Sequence, residues 1–433
     1  MQAAARNWDR VSEMPTTSSK RIAILTYGTR GDIEPFVALG QGLLHAGYAV
    51  RLIAPAMAAA FVPEGTMEFV GLEGDPGELA EELAREAGLS WPRMVRVMSK
   101  FVLQVGESAL RAILEACRDI DGVIHSFLMT DAGHMLAQQR GVPDLSAQFF
   151  PVFSTTGSFP APTFPDWRLG PGYRRATHWL TEQVFRVGGR LLYGRIRRAH
   201  RDLPSPTEWP FHPGGQGSCP ILYAFSSYVV PRPLDWPETA HITGYWFLEP
   251  QRAWKPPEGL VRFLAGGPPP VYIGFGSYGP HRSQELAQIC SEAVERCGLR
   301  AVVAAPGLGS KAGGVSSHMF PVEAAPHGWL FPQMGAVVHH GGAGTTAAGL
   351  RAGVPNIIVP FTADQAFWGR RVERLGVGPK PISLRRLTPI ELANALDLAM
   401  GDPIMRARSA ALGEAIRSED GVGRAVELIR DRI

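Results

Sequence analysis

Short apolar runs alternate with longer amphipathic stretches along most of this chain, and the alternation has two rounds. In the first, Ile22–Tyr27, Ala49–Ala54, Gly122–Ser126 and Asp144–Phe149 are rich in apolar and β-branched residues and predict strands, with helices over Phe36–His45 and Asp131–Arg140 between them. In the second, strands over Val271–Phe275, Arg300–Ala305, Ala336–His340 and Asn356–Phe361 interleave with helices over Ser283–Cys297 and Thr345–Arg351. Strand–helix–strand repetition calls for parallel sheets covered by helices on both faces. The expected class is therefore α/β, with two Rossmann-like doubly wound parallel-sheet domains facing across a cleft. Ligands of such sheets bind beyond the carboxyl ends of the strands, so the residues just after each strand are the informative ones.

On this pattern the chain divides into a flexible tail (1–20), an N-terminal domain (21–235), a linker rich in proline and glycine that includes an edge strand (236–268), a C-terminal domain (269–408) and a terminal helical segment (409–433). Its 433 residues exceed one ordinary hydrophobic core, in keeping with two domains. With 45% hydrophobic and 19% charged residues it reads as a soluble globular protein, and a net charge of +3 gives no reason to expect a nucleic-acid partner. Cys117, Cys219, Cys290 and Cys297 form no CxxC pair or His/Cys cluster, which points to a reducing compartment and to no metal. The N-terminal tail lacks the apolar core of a signal peptide and no long apolar run occurs elsewhere, so the expected location is the cytoplasm.

Residues 168–201 stand apart, with nine arginines against the single acid Glu182, interleaved with Trp179, Leu180, Val184, Phe185, Leu191, Leu192 and Tyr193. This is a basic amphipathic helix. It is either a solvated face beside the cleft, or a peripheral contact with an anionic membrane surface or with a lipid-soluble substrate.

Chemistry concentrates after the strands. In Ala336–Thr346, "AVVHHGGAGTT", a buried strand ends in histidines and a glycine run opens a helix. Glycines let backbone amides approach an anion, the helix N-terminus adds partial positive charge, and His340 can donate to a phosphate oxygen. "GFGS", Gly274–Ser277, offers a small hydroxyl after another strand. "PFTADQA", Pro360–Ala366, sets Asp364 beside Gln365, acceptors and donors together, which suits vicinal sugar hydroxyls or else a helix N-cap. Near the start, "TYGTRGDIEP" (Thr26–Pro35) places Asp32 just past the first strand, either as a cap of the following helix or as a carboxylate that takes a proton. Downstream, Phe149, Phe150, Phe153, Phe159, Phe164 and Trp167 lie in proline-broken loop and favour a flat apolar ligand.

Two competing chemistries fit poorly. Asp119-Ile-Asp121 has the DxD form of a divalent-metal site but precedes a strand. Gly307–Gly313, "GLGSKAG", misses the dinucleotide spacing and no helix is expected to follow it, which argues against an oxidoreductase. His125, after the Gly122–Ser126 strand, reads as a structural histidine or a second one in the cleft.

Taken together, "GFGS", "APHGWLFPQMGAVVHHGGAGTTAAGLRAGVPNIIVPFTADQAFWGRRVERLGVG" and "GTRGDIEP" resemble the GT-B family 1 glycosyltransferases, in the branch that holds sterol glucosyltransferases and bacterial enzymes acting on antibiotics and other natural products. The resemblance covers essentially residues 20–430. It implies inverting, metal-independent transfer from a nucleotide-diphosphate sugar, UDP-glucose or a dTDP-deoxysugar, to a hydroxyl of a lipophilic small molecule. No cofactor beyond that co-substrate is implied. Carried over, Gly276, Ser277, His340, Gly341, Gly342, Gly344 and Thr345 would hold the diphosphate, Asp364 and Gln365 the sugar, and backbone near Val322 the base. Plant relatives stack a tryptophan on the base at that place, so Val322 leaves its recognition to backbone hydrogen bonds. Natural-product relatives use the aspartate of this "RGD" as the base, which makes Asp32 the catalytic candidate. Thr29, Arg30, Phe149, Phe150, Phe153 and Trp167 would then meet the acceptor, and Ser409–Ile433 would be the last helix returning to the N-terminal domain. A nucleotide-sugar epimerase or hydrolase, or a non-catalytic accessory protein, would share the fold; the aromatic loop and the intact Asp32, Asp364 and Gln365 argue against both.

Overall fold

The computed structural model describes residues 19–85, 91–205, 208–211, 218–248, 254–276, 283–304, 318–361 and 364–433. Strands β1 (Arg21–Leu25), β2 (Ala49–Pro55), β3 (Glu68–Leu72), β4 (Gly122–His125), β5 (Asp144–Gln148), β6 (Ile221–Tyr223) and β7 (Ala240–Ile242) form one parallel sheet in the order β3-β2-β1-β4-β5-β6-β7. Strands β8 (Val271–Gly274), β9 (Ala301–Ala304), β10 (Met319–Val322), β11 (Ala336–His339) and β12 (Asn356–Ile358) form a second, in the order β10-β9-β8-β11-β12. Every pairing is parallel, for example Ile22↔Val50 and Val338↔Ile273. The apolar runs explain this: in β1 both faces are covered, Ile22 and Ile24 packing into one core and Ala23 and Leu25 into another.

Helix α1 (Arg30–His45) starts six residues before the expected Phe36, with Pro35 inside it. The start is set at Thr29: its amide donates to Asp32 Oδ2 at 2.9 Å, the side-chain return of a capping box, and the Asp32 amide closes the first turn by donating to the Thr29 carbonyl at 2.8 Å. Gly28, at φ 151°, leaves the space this carboxylate fills, because a Cβ there would lie 2.4 Å from Asp32 Oδ2. Helices α2 (Pro76–Arg85), α3 (Trp91–Ala116), α4 (Thr130–Arg140) and the 30-residue α5 (Gly170–Ala199) complete the N-terminal domain. In the second domain, α6 (Glu258–Ala265) precedes β8, α7 (Ser283–Arg296) links β8 to β9, and α8 (His327–Leu330) precedes β11. There α9 (Ala343–Ala352), α10 (Gln365–Leu375) and α11 (Pro389–Gly401) follow β11 and β12.

The chain ends in two helices where one was expected, α12 (Pro403–Ser418) and α13 (Gly421–Arg430), because Asp420 caps a fresh start by accepting from the Gly423 amide at 2.9 Å. α13 returns to α1, burying Ala425, Val426 and Ile429 in the core of the N-terminal domain. Between the domains, Phe159 packs edge-on to Phe367 and Phe225 to Trp368, while Arg371 donates to the Val229 carbonyl at 2.9 Å and Arg374 pairs with Asp166. All four cysteines are free, and no helix among the described residues is long and apolar enough to cross a membrane.

The α1–α13 contact depends on Gly42, where a Cβ would lie 2.3 Å from Val422 Cγ1. Gly42→Leu is expected to destabilise the protein by about 1–3 kcal/mol through overpacking. Differential scanning calorimetry checks this; an unchanged Tm would show that α13 can shift without cost.

Candidate active site

One cavity of about 1950 Å³ opens between the domains and collects most of the residues singled out by sequence. From the N-terminal side Asp32 enters from the first turn of α1, half-buried, and desolvation there raises its pKa, an effect partly offset by hydrogen bonds from the Thr29 backbone and side chain. Both of those bonds fall on Oδ2, at 2.9 and 3.2 Å, which leaves Oδ1 without a donor among the described residues. Asp32 is therefore a helix cap and a cavity-lining carboxylate at once. Arg30, also lining the cavity, is held by Glu34 at 2.7 Å and by the ring of Phe61.

Asp364 faces Asp32 from the C-terminal side, immediately before α10. It does not cap that helix with its side chain; its Oδ2 accepts from Trp368 Nε1 at 2.8 Å. Burial first, and the charge of Asp32 in addition, raise its pKa to about 6. Gln365, also buried, accepts from the Phe361 amide at 2.7 Å. The domains approach closely here, since a Cβ on Gly344 would lie 3.8 Å from the backbone of Gly31.

His340, Gly342, Gly344 and Thr345 line the same cavity where β11 gives way to α9. The amides of Ala343, Gly344 and Thr345 open the helix and have no carbonyl of their own turn to bond, so this is an anion-binding terminus. Burial first, and the neighbouring His339 and His327 in addition, lower the pKa of His340 to about 3. At neutral pH it is an uncharged donor or acceptor rather than a cation, so it adds no charge to the field of the helix end. Gly276, at φ 66°, sits against it: a Cβ there would be 3.2 Å from His340 Cε1.

The wall supplied by the N-terminal domain is aromatic. Phe149 packs edge-on to Phe36 and Trp246, Phe150 edge-on to Phe127, and Phe153 stacks on Phe127 and on Phe211. Phe153 holds φ 64°, a strained left-handed conformation for a bulky residue, which its ring contacts maintain.

Several expected site residues lie elsewhere. Trp167 is exposed and stacks on Tyr173 outside the cavity, because the loop after Phe159 crosses to α10 instead of folding inward. Gly341 does not line the cavity; its amide donates to His339 Nδ1 at 3.1 Å and its Cα faces Ile358. Val322 packs inward beside Leu260 and Tyr272, and the lining begins at Glu323. Ser277 and the segment 307–313 fall outside the described residues. His125 is a buried structural histidine bonded to Asp144 at 3.1 Å, and Asp119 and Asp121 are tied to Arg21 and Arg51 at the opposite end of the sheet from the cavity. Conversely, Phe127, Phe185, Trp209, Trp246 and His327 line the cavity without having been singled out as site residues. Only Phe185, noted within the basic helix, and His327, inside the quoted "APHGW", left any trace in the sequence.

Two parallel-sheet domains closing on one cavity are the GT-B architecture. Residues 22–156 match the glycosyltransferase family 28 N-terminal domain, and residues 303–423 match the erythromycin biosynthesis protein CIII-like C-terminal domain. O-mycaminosyltylonolide 6-deoxyallosyltransferase of Streptomyces fradiae is 36% identical over 426 residues, 95% of this chain and 97% of that one. A sterol 3-beta-glucosyltransferase of Cryptococcus neoformans is 36% identical over 434 residues, 94% of this chain but only 27% of its own length. Among solved structures, the kitacinnamycin glycotransferase aligns at a TM-score of 0.70 and 20% identity, covering 96% of this chain and 100% of that one. VinC in complex with dTDP aligns at 0.64 and 18%, covering 95% and 98%. The chain belongs to this family of GT-B glycosyltransferases, alongside antibiotic and sterol glycosyltransferases, and is a transferase.

Asp364 makes the electrostatics testable. Its raised pKa means that the folded state holds a proton the unfolded chain releases near pH 3.8, so stability falls as pH rises from there to about 6. Asp364→Asn keeps an acceptor for Trp368 and removes the charge. It is expected to stabilise the protein at neutral pH by up to about 3 kcal/mol, an advantage that disappears below about pH 4. Thermal unfolding across pH measures it; a difference independent of pH would contradict the buried-charge account.

Proposed function

We propose that the chain is an inverting, metal-independent glycosyltransferase that moves a sugar from a nucleotide-diphosphate sugar to a hydroxyl of a lipophilic small molecule. The observation that carries this reading is the pair of half-buried carboxylates, Asp32 and Asp364, brought from different domains to one cavity whose N-terminal-domain wall is aromatic. The diphosphate lies at the N-terminus of α9 beside His340, with Gly276 leaving room, and the sugar hydroxyls meet Asp364 and Gln365. The acceptor hydroxyl sits on the aromatic wall beside Asp32 Oδ1. Its oxygen attacks the anomeric carbon from the face opposite the phosphate, the carbon–oxygen bond to phosphate breaks, and the electron pair leaves with the nucleotide diphosphate. The proton passes to Asp32, whose burial makes it a stronger base than an exposed aspartate. The amides opening α9 stabilise the departing charge, the part a divalent ion plays in other transferases. UDP-glucose and dTDP-deoxysugars are the donors to try, with sterols and polyketides as acceptors. The glucosyl and 6-deoxyallosyl groups and the sterol in the relatives' names, and the dTDP bound to VinC, support this choice.

Asp32→Asn keeps the helix cap and is expected to lower kcat by about 10²–10⁴-fold with little change in donor affinity. Mass spectrometry of glycosylated acceptor together with calorimetry of nucleotide diphosphate checks it, and wild-type turnover by a folded variant would remove Asp32 as the base. The wild-type rate should fall on the acid side as Asp32 protonates, above the pH of an ordinary aspartate because its pKa is raised.

Residues 168–201 also fit peripheral contact with an anionic membrane, from which a lipophilic acceptor would be drawn. On α5 the exposed Trp179, Leu180, Val187 and Leu191 share one face, with Arg186 and Arg190 beside them, while Val184, Phe185, Leu192 and Tyr193 face the cavity. Sedimentation with phosphatidylserine vesicles is expected to carry the wild type down, and Trp179→Ala/Leu191→Ala several-fold less. Equal recovery with purely zwitterionic vesicles would count against an electrostatic contribution.

A further inference from the structure

The cavity continues past the aromatic wall into a lobe between α3, α4 and α5, walled by Val102, Val105, Met135, Leu192 and Tyr193, and Asp131 opens onto it from the first turn of α4. Neither the base nor the donor residues account for this carboxylate. It rests against the backbone of α5 at Gly189, where a Cβ would lie 2.1 Å from Asp131 Oδ2, and beside it Gly188 has nothing within 4 Å of its own Cβ position. Two successive glycines inside a helix are unfavourable for that helix. Here they form a notch that admits the carboxylate and leaves it open to the cavity.

No group among the described residues donates a hydrogen bond to Asp131. His125 and His134, the nearest residues of opposite charge when protonated, direct ring nitrogens at Asp144 instead, at 3.1 and 2.9 Å. The surrounding protein raises the Asp131 pKa to about 6, so it is ionised at neutral pH. The carboxylate is exposed where it meets the cavity, and with no protein donor its hydrogen bonds are open to whatever occupies that space.

Asp131 and Asp32 serve different ends of the space. Helix α1 packs on the Ile22/Ile24 face of β1 and α4 on the Ala23/Leu25 face. Of the two, it is Asp32 whose charge bears on Asp364. We propose that Asp131 anchors the end of the acceptor remote from the reacting hydroxyl, accepting a hydrogen bond from a donor group there, a protonated amine in preference to a neutral hydroxyl. Charge pairing in a cavity of low dielectric sets that preference. The inference rests on the reading of this cavity as the acceptor site.

Three 3β-hydroxysteroids that differ only at C17, bearing an amine, a hydroxyl or hydrogen, separate the possibilities when titrated into the full chain by tryptophan fluorescence. Wild type is expected to bind the amine about tenfold or more tighter than the unsubstituted steroid, with the hydroxyl between. Asp131→Leu should erase that order while binding the unsubstituted steroid at least as well, and Asp131→Asn should keep only the hydroxyl's advantage. Gly189→Ala, which displaces the carboxylate without removing it, should weaken the amine alone. The same order in wild type and Asp131→Leu, or no order in wild type, overturns the assignment. Failure of all three to bind wild type overturns the lipophilic-acceptor reading itself, and this subsite with it.

Discussion

Aromatic packing between the two sheets sets the width of the cleft, and the chemistry depends on that width. Phe225 against Trp368 and Phe159 against Phe367 are buried contacts between rings from different domains, so the separation is fixed by ring size and not by flexible charged side chains. Trp368 has a second role. The residue that packs against Phe225 also donates its indole N–H to Asp364, which ties the position of a polar site residue to the apolar contact that closes the domains.

Burial then tunes the groups held in that cleft. It raises the pKa of Asp32 and Asp364 and lowers those of His327, His339 and His340, so the carboxylates become more basic and the histidines stay neutral. The histidines beside the end of α9 therefore add no positive charge there. An anion is met by oriented dipoles, which need not reorganise when charge moves from donor to leaving group.

Much of the fold was legible because strands buried on both faces leave continuous apolar runs, such as Ile22–Leu25 and Ala336–Val338, and because glycines mark the turns beyond them. Boundaries were less so. Pro35 reads as a helix start, whereas the Thr29–Asp32 capping box starts α1 earlier, and the break between α12 and α13 rests on one aspartate. Within the site, the groups gathered by local motifs, Asp32, His340, Gly342 and Asp364, could be read directly. Gly341 could not, because its use by His339 depends on side-chain geometry. Neither could Trp167, whose loop is pulled away by Arg370 and Arg374 of the other domain. The acceptor wall was half visible: Phe149, Phe150 and Phe153 sit in one loop, but Phe127, Phe185, Trp209 and Trp246 reach it from four separate parts of the chain.

Helix α1 carries Asp32 in its first turn and Gly42 in its last, and Gly42 is where α13 docks. Its 16 residues make a rod about 24 Å long. A strut of this kind works as a lever: a small tilt imposed where the chain's final helix grips one end is delivered as a displacement at the other. The position of the Asp32 carboxylate is thus coupled mechanically to α13, a helix that does not line the cavity.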